Sequence, residues 1–428
     1  MKYPALTRAA LVVLVCCRFP VDSQASDAPE FIELEGLADG VTVLEADASG
    51  TRLLTFSEQT GALLWNFVDG ELVAELSDPP QTVDSVEFNH RCDAILGRFT
   101  SPEGQSGIII WQSGDGSKIG SLSGGGGGAA IAVGPGGELC AIEGRPGFVR
   151  IYDFSFTHPV RVLAAHDAEI HRLALSPDGG TLAAATAAGE IKIWDAAADE
   201  PVATFVHGEG LREVGFSPDG SRLISRIGAD TEEGELKLWN TVGGGALATV
   251  DGVLSWSFGQ DEGAMRMVVL LEGGSASVID IEDGASLAAI DEPEQLWRVA
   301  LSRDGSRLAT ASINGQVKLW DASSGELLQE LGQAPGLASN LIFGHDGGLI
   351  AVGDTQGMVL MLPIADGSGR LEFKAHELGV GRMVLNATGT RLASSSAGED
   401  GDVRIWILGE EEEDDLDALD EPDQPAES

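Results

Sequence analysis

LWRVALSRDGSRLATASINGQVKLWDASSGELLQEL, residues 296–331, decides the fold. Residues 299–301 and 307–311 alternate in polarity on either side of a tight Arg303-Asp304-Gly305 turn, residues 317–321 alternate again, and residues 327–331 form a fourth run. Period-two alternation broken by Gly, Asp and Asn is the pattern of short antiparallel strands. Four such strands in roughly 40 residues make a sheet too small to stand alone. It has to stack against copies of itself, and the chain supplies them.

Aligned on the third run, the sequence yields nine units. Their strand ends read ALLWNF (Trp65), IIIWQS (Trp111), VRIYDF (Tyr152), IKIWDA (Trp194), LKLWNT (Trp239), SVIDIE (Ile279), VKLWDA (Trp320), LMLPIA (Leu362) and VRIWIL (Trp406), spaced 40–46 residues apart. A fixed period in this range marks a propeller of four-stranded blades. A second motif precedes the strand ends: SPDGGTL at 176–182, SPDGSRL at 217–223, SRDGSRL at 302–308 and GHDGGLI at 344–350. Pro and Asp open the turn and Gly takes its positive-φ position.

Together these motifs resemble the WD40 repeat family over about residues 41–406. The resemblance implies an all-β, single WD40-like β-propeller. Nine repeats are counted here. Seven or eight are usual in that family, and the first unit, with Ala46-Asp47-Ala48-Ser49-Gly50 at its turn, is among the weakest, so eight and seven stay open. The ninth unit ends at its third strand, 403–407, and Phe31-Ile32-Glu33-Leu34-Glu35 is expected to supply the missing outer strand, closing the ring and covering an open edge. The family also implies a structural network of a His before strand one, a Ser or Thr in strand two, an Asp in the next turn and the strand-three Trp. His376, Ser396, Asp400 and Trp406 fill it in the ninth unit. The fourth has His166, Thr186 and Trp194 but Ala188 at the Asp position; Trp239 and Trp320 stand at the Trp position of the fifth and seventh, and the sixth and eighth have lost the Trp-Asp pair.

The ends of the chain differ from its middle. Lys2 and Arg8 precede an apolar run at 9–17 and a polar exit ending Ser23-Gln24-Ala25, which reads as a signal peptide over 1–25. The run is too short to span a bilayer as a helix. Val15 precedes Cys16, where bacterial lipoprotein signals carry Gly or Ala, so export to the periplasm or outside is preferred to lipid attachment at Cys16 or Cys17. The propeller is assigned to 26–408 and a disordered acidic tail to 409–428; residues 410–428 hold 11 of the 68 acidic residues. Cys92 and Cys140 remain in the mature chain, in neighbouring repeats at non-equivalent positions; a disulfide is permitted on export, but a core thiol is the expectation for Cys140. A formal net charge of −42 argues against nucleic acid, whose phosphates need a basic face. It fits solvation in saline surroundings or a basic partner.

No catalytic set emerges. Residues 124–128 are all Gly, but no Lys-Ser/Thr follows as in a phosphate loop. The 59–65 stretch resembles the tryptophan-docking repeat of quinone-dependent propellers but occurs once. The Glu399-Asp400-Gly401-Asp402 turn lacks the Ca²⁺-loop spacing. The seven histidines are scattered, so neither a metal nor a cofactor is expected.

Binding is better supported. In WD40-type blades the two residues before the last core residue of strand one sit on a bulge at one face of the ring. That position holds His171 and Arg172, Arg212 and Glu213, Trp297 and Arg298, Ser339 and Asn340, and Gly381 and Arg382. Arg and Trp combine planar donors with apolar area and recur at interface hot spots. His171, Arg172, Arg212, Trp297, Arg298 and Arg382 are therefore the candidate partner-binding residues, against the plainer reading that each Arg pairs with a nearby carboxylate such as Glu169, Glu213 or Glu294. The expected function is a non-catalytic, exported protein-binding platform, monomeric and without a transmembrane segment in the mature chain. The alternatives are a propeller enzyme acting on a saccharide or lactone, and a structural subunit of an envelope complex.

Overall fold

A computed structural model describes residues 28–78, 82–89, 92–101, 103, 106–123, 131–133, 139–153, 158–195, 198, 200–228, 234–259, 265–364 and 369–409. The signal peptide expected at 1–25 and the acidic residues 410–428 lie outside them. Among the described residues the chain is strand and turn, without helix. The strands form nine antiparallel blades in chain order: 43–76, 82–123, 131–164, 170–206, 211–250, 253–290, 296–333, 338–374, and 380–407 with 31–33.

The quoted stretch folds as its alternation predicts. Leu296–Leu301, Arg307–Ser312, Gln316–Asp321 and Leu327–Gln333 pair in order from the inner to the outer strand of blade 7. Blades 5 and 6 are fused, because Ala246–Phe258 is one 13-residue strand. Its first half closes blade 5 and its second half opens blade 6, with a bend at Gly252, whose φ of 68° suits a residue without a Cβ. Blade 9 takes its outer strand from the other end of the chain: Phe31 pairs with Trp406, Ile32 with Ile405 and Glu33 with Arg404. The Phe31 ring lies 4.9 Å from that of Trp406, and the Arg404 guanidinium sits 4.7 Å over it.

There is no single core. Each blade buries both faces, and among the described residues the apolar side chains gather into nine clusters, one for each pair of neighbouring blades. Leu53, Leu63 and Trp65 of blade 1 pack with Ala393, Val403 and Ile405 of blade 9, so the ring closes at nine. The large third-strand residue of every blade faces the blade before it: Trp194 packs on blade 3, Trp320 on blade 6 and Trp406 on blade 8. Cys140 is fully buried in the cluster between blades 2 and 3; both Cys92 and Cys140 are free thiols, and burial pushes them up to about 11 and 12.

Antiparallel pairing gives the ring two distinct faces. Inner strands begin on one face, where second and third strands also join. They end on the other, which carries the Ser-Pro-Asp-Gly turns and the last residues of the third strands.

Candidate functional site

The inner strands of seven blades carry a β-bulge close to where they begin to pair with the second strand. The register slips between Val83 and Ser85, Ile170 and Arg172, Leu211 and Glu213, Val253 and Ser255, Leu296 and Arg298, Ala338 and Asn340, and Val380 and Arg382. The skipped residue turns away from the ladder. Going round from blade 4 these are His171, Arg212, Leu254, Trp297, Ser339 and Gly381, with Asp84 on blade 2. Apart from Gly381, each of these bulges thus presents one extra side chain on the face where the inner strands begin.

The residue after the bulge has a different task. Arg172 donates from Nε to the Arg212 carbonyl at 2.5 Å, and Arg298 from Nε to the Ser339 carbonyl at 3.0 Å. Asn340 donates from Nδ2 to the Gly381 carbonyl at 3.1 Å. In each case the acceptor is the bulge carbonyl of the next blade, freed from the ladder by the bulge itself. Carboxylate pairing was the plainer expectation for these arginines. The Nε bonds of Arg172 and Arg298 run to backbone, where the bulge turns a carbonyl toward the guanidinium. Burial holds Arg298 below its usual range. The pattern is reversed between blades 5 and 6: Glu213 replaces the arginine and accepts from Trp256 Nε1 at 3.2 Å.

Candidate residues therefore separate into two groups. Arg172 and Arg298 stitch blades together. Arg212 and Arg382 are exposed, and Trp297 and Leu254 are 40% and 42% exposed on adjacent blades. The Arg298 guanidinium also lies 5.0 Å over the Trp297 ring, holding the indole at the surface. Ile313 and Leu378, in the loops of the same face, are exposed to similar degrees, and Ile313 N donates to the Gln295 carbonyl, close to Trp297. His171 is held below its usual range by burial and then by the charges of Arg172 and Arg212, so it is neutral at pH 7.

The structural network needs correcting. In blade 9, His376 binds Asp402 Oδ2 through Nδ1 at 2.9 Å and Ser394 Oγ through Nε2 at 2.8 Å, and Trp406 Nε1 donates to the same hydroxyl at 2.9 Å. Ser396 and Asp400 are not its members; they bond each other at 3.2 Å in the following turn. Ser394 and Ser396 share a strand face, and the register decides between them. Trp406 pairs with Leu392, and its indole reaches diagonally to the residue two further on. The same diagonal joins Trp65 to Thr55 and Trp320 to Thr310, both at 2.9 Å. Blade 5 holds a complete set that the sequence reading missed: His207 binds Ser225 Oγ at 2.6 Å and Glu235 at 3.1 Å, while Trp239 donates to Ser225 at 2.7 Å. In blade 4 the diagonal position is Ala184, whose carbonyl takes His166 Nε2, and Glu190, not the Ala188 position, supplies the acid at 3.0 Å. The overlooked signal is an acid four residues before the aromatic, followed by Lys or Arg two residues later.

Among the described residues no group of His, Cys, Asp and Glu is arranged to hold a metal, and no helix is long and apolar enough to cross a membrane.

The WD40 family model (WD domain, G-beta repeat) matches residues 157–195, 287–321 and 368–406. The three matches fall on the junctions of blades 3 and 4, 6 and 7, and 8 and 9. Each matched segment couples the outer strand of one blade to three strands of the next, so each spans two neighbours. The WD repeat-containing protein slp1 of Schizosaccharomyces pombe is 24% identical over 323 residues, covering 72% of this chain and 64% of that protein. The anaphase-promoting complex subunit cdc20 of Dictyostelium discoideum is 27% identical over 171 residues, covering 38% of this chain and 34% of its own length. The chain thus spans less than two thirds of either relative. Among solved structures, the C-terminal WD40 domain of Sif2 aligns with a TM-score of 0.55 at 13% identity, covering 90% of this chain and all of that one. The computationally designed Ika8 protein aligns at 0.53 with 16% identity, covering 89% and 99%. At these identities the likeness is one of fold.

Proposed function

We propose that this protein is an exported, non-catalytic platform that binds another protein through the face on which its inner strands begin. The observation that carries the reading is the exposed Trp297 and Leu254 on adjacent blades, with Arg298 over the indole and Arg212 and Arg382 exposed on the inner strands of blades 5 and 9. A large aromatic held rigid at a surface loses little entropy on binding, and such residues dominate interface energetics. The names of relatives, one a subunit of the anaphase-promoting complex, are consistent with a role in assemblies. Export rests on the charged start and apolar run of residues 1–25.

The test is capture from host extract by the wild-type chain and by a Trp297→Ala/Leu254→Ala variant. The reading expects one defined protein to be retained by the wild type and released by the variant, with both proteins melting at similar temperatures. Equal retention would place the partner elsewhere on the ring. Capture of nothing by either chain would sink the platform itself.

A further inference from the structure

The opposite face of the ring carries a feature that this reading does not use. Blades 4 and 5 turn from first to second strand through Ser-Pro-Asp-Gly, with Pro177 and Pro218. Proline presets the backbone angle this position needs. Blades 7 and 8 have Arg303 and His345 there instead, in two consecutive turns. Neither residue improves the turn, but their side chains meet, the Arg303 guanidinium against the His345 ring. A cavity of about 200 Å³ opens between the turns, lined also by Ser302, Ser306 and Arg307. Arg266 of blade 6 donates to the Gly305 carbonyl at 2.8 Å, and Arg307 to the Gly347 carbonyl at 3.4 Å. Three guanidiniums and an imidazole therefore share one stretch of seam.

Two carboxylates also border the cavity, and each accepts a hydrogen bond from its own turn. Asp304 accepts from Ser302 Oγ at 2.6 Å, Ser306 N at 3.0 Å and Ser306 Oγ at 2.7 Å. Asp346 accepts from Gly348 N at 2.8 Å. Asp178 does the same in blade 4, where Pro177 stands at the position of Arg303. What distinguishes this seam is thus the added positive charge, on a chain with 26 basic and 68 acidic residues.

We propose that this cleft is a carboxylate site and that it takes the chain's own acidic segment, residues 410–428. That segment holds 11 acidic residues, and it leaves the ring on the same face. Leu408 N donates to the Thr390 carbonyl at 2.8 Å and Arg391 Nη1 to the Gly409 carbonyl at 2.8 Å, which ties the exit to the first turn of blade 9, the blade next to the cleft. Nineteen residues at about 3.3 Å each reach roughly 60 Å, whereas stacked sheets lie only about 10 Å apart. Guanidinium forks match carboxylates in geometry as well as charge. Docking the segment would cover this face and leave the Trp297 face open.

The test exploits the turn chemistry. Arg303→Pro/His345→Pro gives blades 7 and 8 the turn that blades 4 and 5 already have, so the variant is expected to fold. Digestion with a glutamate-specific protease, followed by mass, reads cleavage within 410–428. The wild-type chain should be cut several-fold more slowly than the variant at low salt, and the gap should close as salt is raised. In parallel, amide exchange at 302–307 and 344–348 should quicken in a chain ending at Gly409 and slow again when a peptide of residues 410–428 is added. Equal cleavage of wild type and variant, or exchange indifferent to the segment, overturns the proposal. If inorganic phosphate restores protection as well as the peptide does, the cleft takes any small anion and the assignment to this segment fails.

Discussion

Arg172 and Arg298 show why a surface arginine need not be a contact residue. Each donates across a blade boundary to a carbonyl that the next bulge has unpaired. Replacing either by Ala leaves that carbonyl without its charge-assisted partner, a loss of about 1–3 kcal/mol. Denaturant melts of Arg172→Ala and Arg298→Ala should therefore shift, while Arg212→Ala, which is exposed and makes no such stitch, should melt like the wild type. The hydroxyls of Ser225 and Ser394 are more demanding positions, since each serves a histidine and a tryptophan at once. Ser394→Ala strands both partners in the core and should cost about 2–3 kcal/mol. The histidines they hold confer a pH dependence. Burial is the leading cause that keeps His207 and His376 below their usual range. The unfolded chain then takes up the proton first, so stability is full above about pH 6.5 and falls as the pH drops below it. Melts between pH 7.5 and 5.5 should show the decline, and His376→Gln should reduce its slope.

At the scale of the blade, alternation and turn residues were enough to place strands, count nine units and find the closing strand. They could not select between Ser394 and Ser396, because period two puts both on one face and only the pairing of Trp406 with Leu392 settles which lies under the indole. Nor could they reveal the arginine stitches, whose acceptors are backbone carbonyls and leave no trace in residue identity. The acid of blades 4 and 5 was missed for a simpler reason: Glu190 and Glu235 sit at the start of the third strand, and the reading sought an Asp in the turn before it. Blade 2 shows the diagonal rule from its other side. Its position under Trp111 is Gly97, and a Cβ there would lie 2.4 Å from the indole. Gly97→Ala should destabilise the protein by about 1–3 kcal/mol through overpacking, and a shifted near-ultraviolet spectrum would mark the displaced Trp111.

Over the whole molecule, nine separate interfaces replace one core, and each is a thin layer between two sheets. The fused strand Ala246–Phe258 makes blades 5 and 6 one piece, so opening between them requires bending a strand and not merely swinging a loop. The chain's net charge of −42, of which residues 410–428 supply 11 acidic residues, leaves the ring strongly negative. Self-repulsion among exposed carboxylates opposes compaction and is screened by salt. The melting temperature should therefore climb as sodium chloride is raised from about 10 mM, where the Debye length is roughly 30 Å, toward 1 M, where it is about 3 Å. A flat response would mean that the carboxylates are already neutralised locally.

The pairing of Phe31 with Trp406 joins residues far apart in the order of synthesis. At about 5–20 residues per second, the first strand waits tens of seconds for its partner, and until blade 9 exists the ring cannot close. Any chain that supplies a Phe31–Glu33 strand makes the same bonds, including a neighbour of the same sequence. Refolding at high concentration should accordingly yield dimers that have exchanged this strand, while dilute refolding yields single rings.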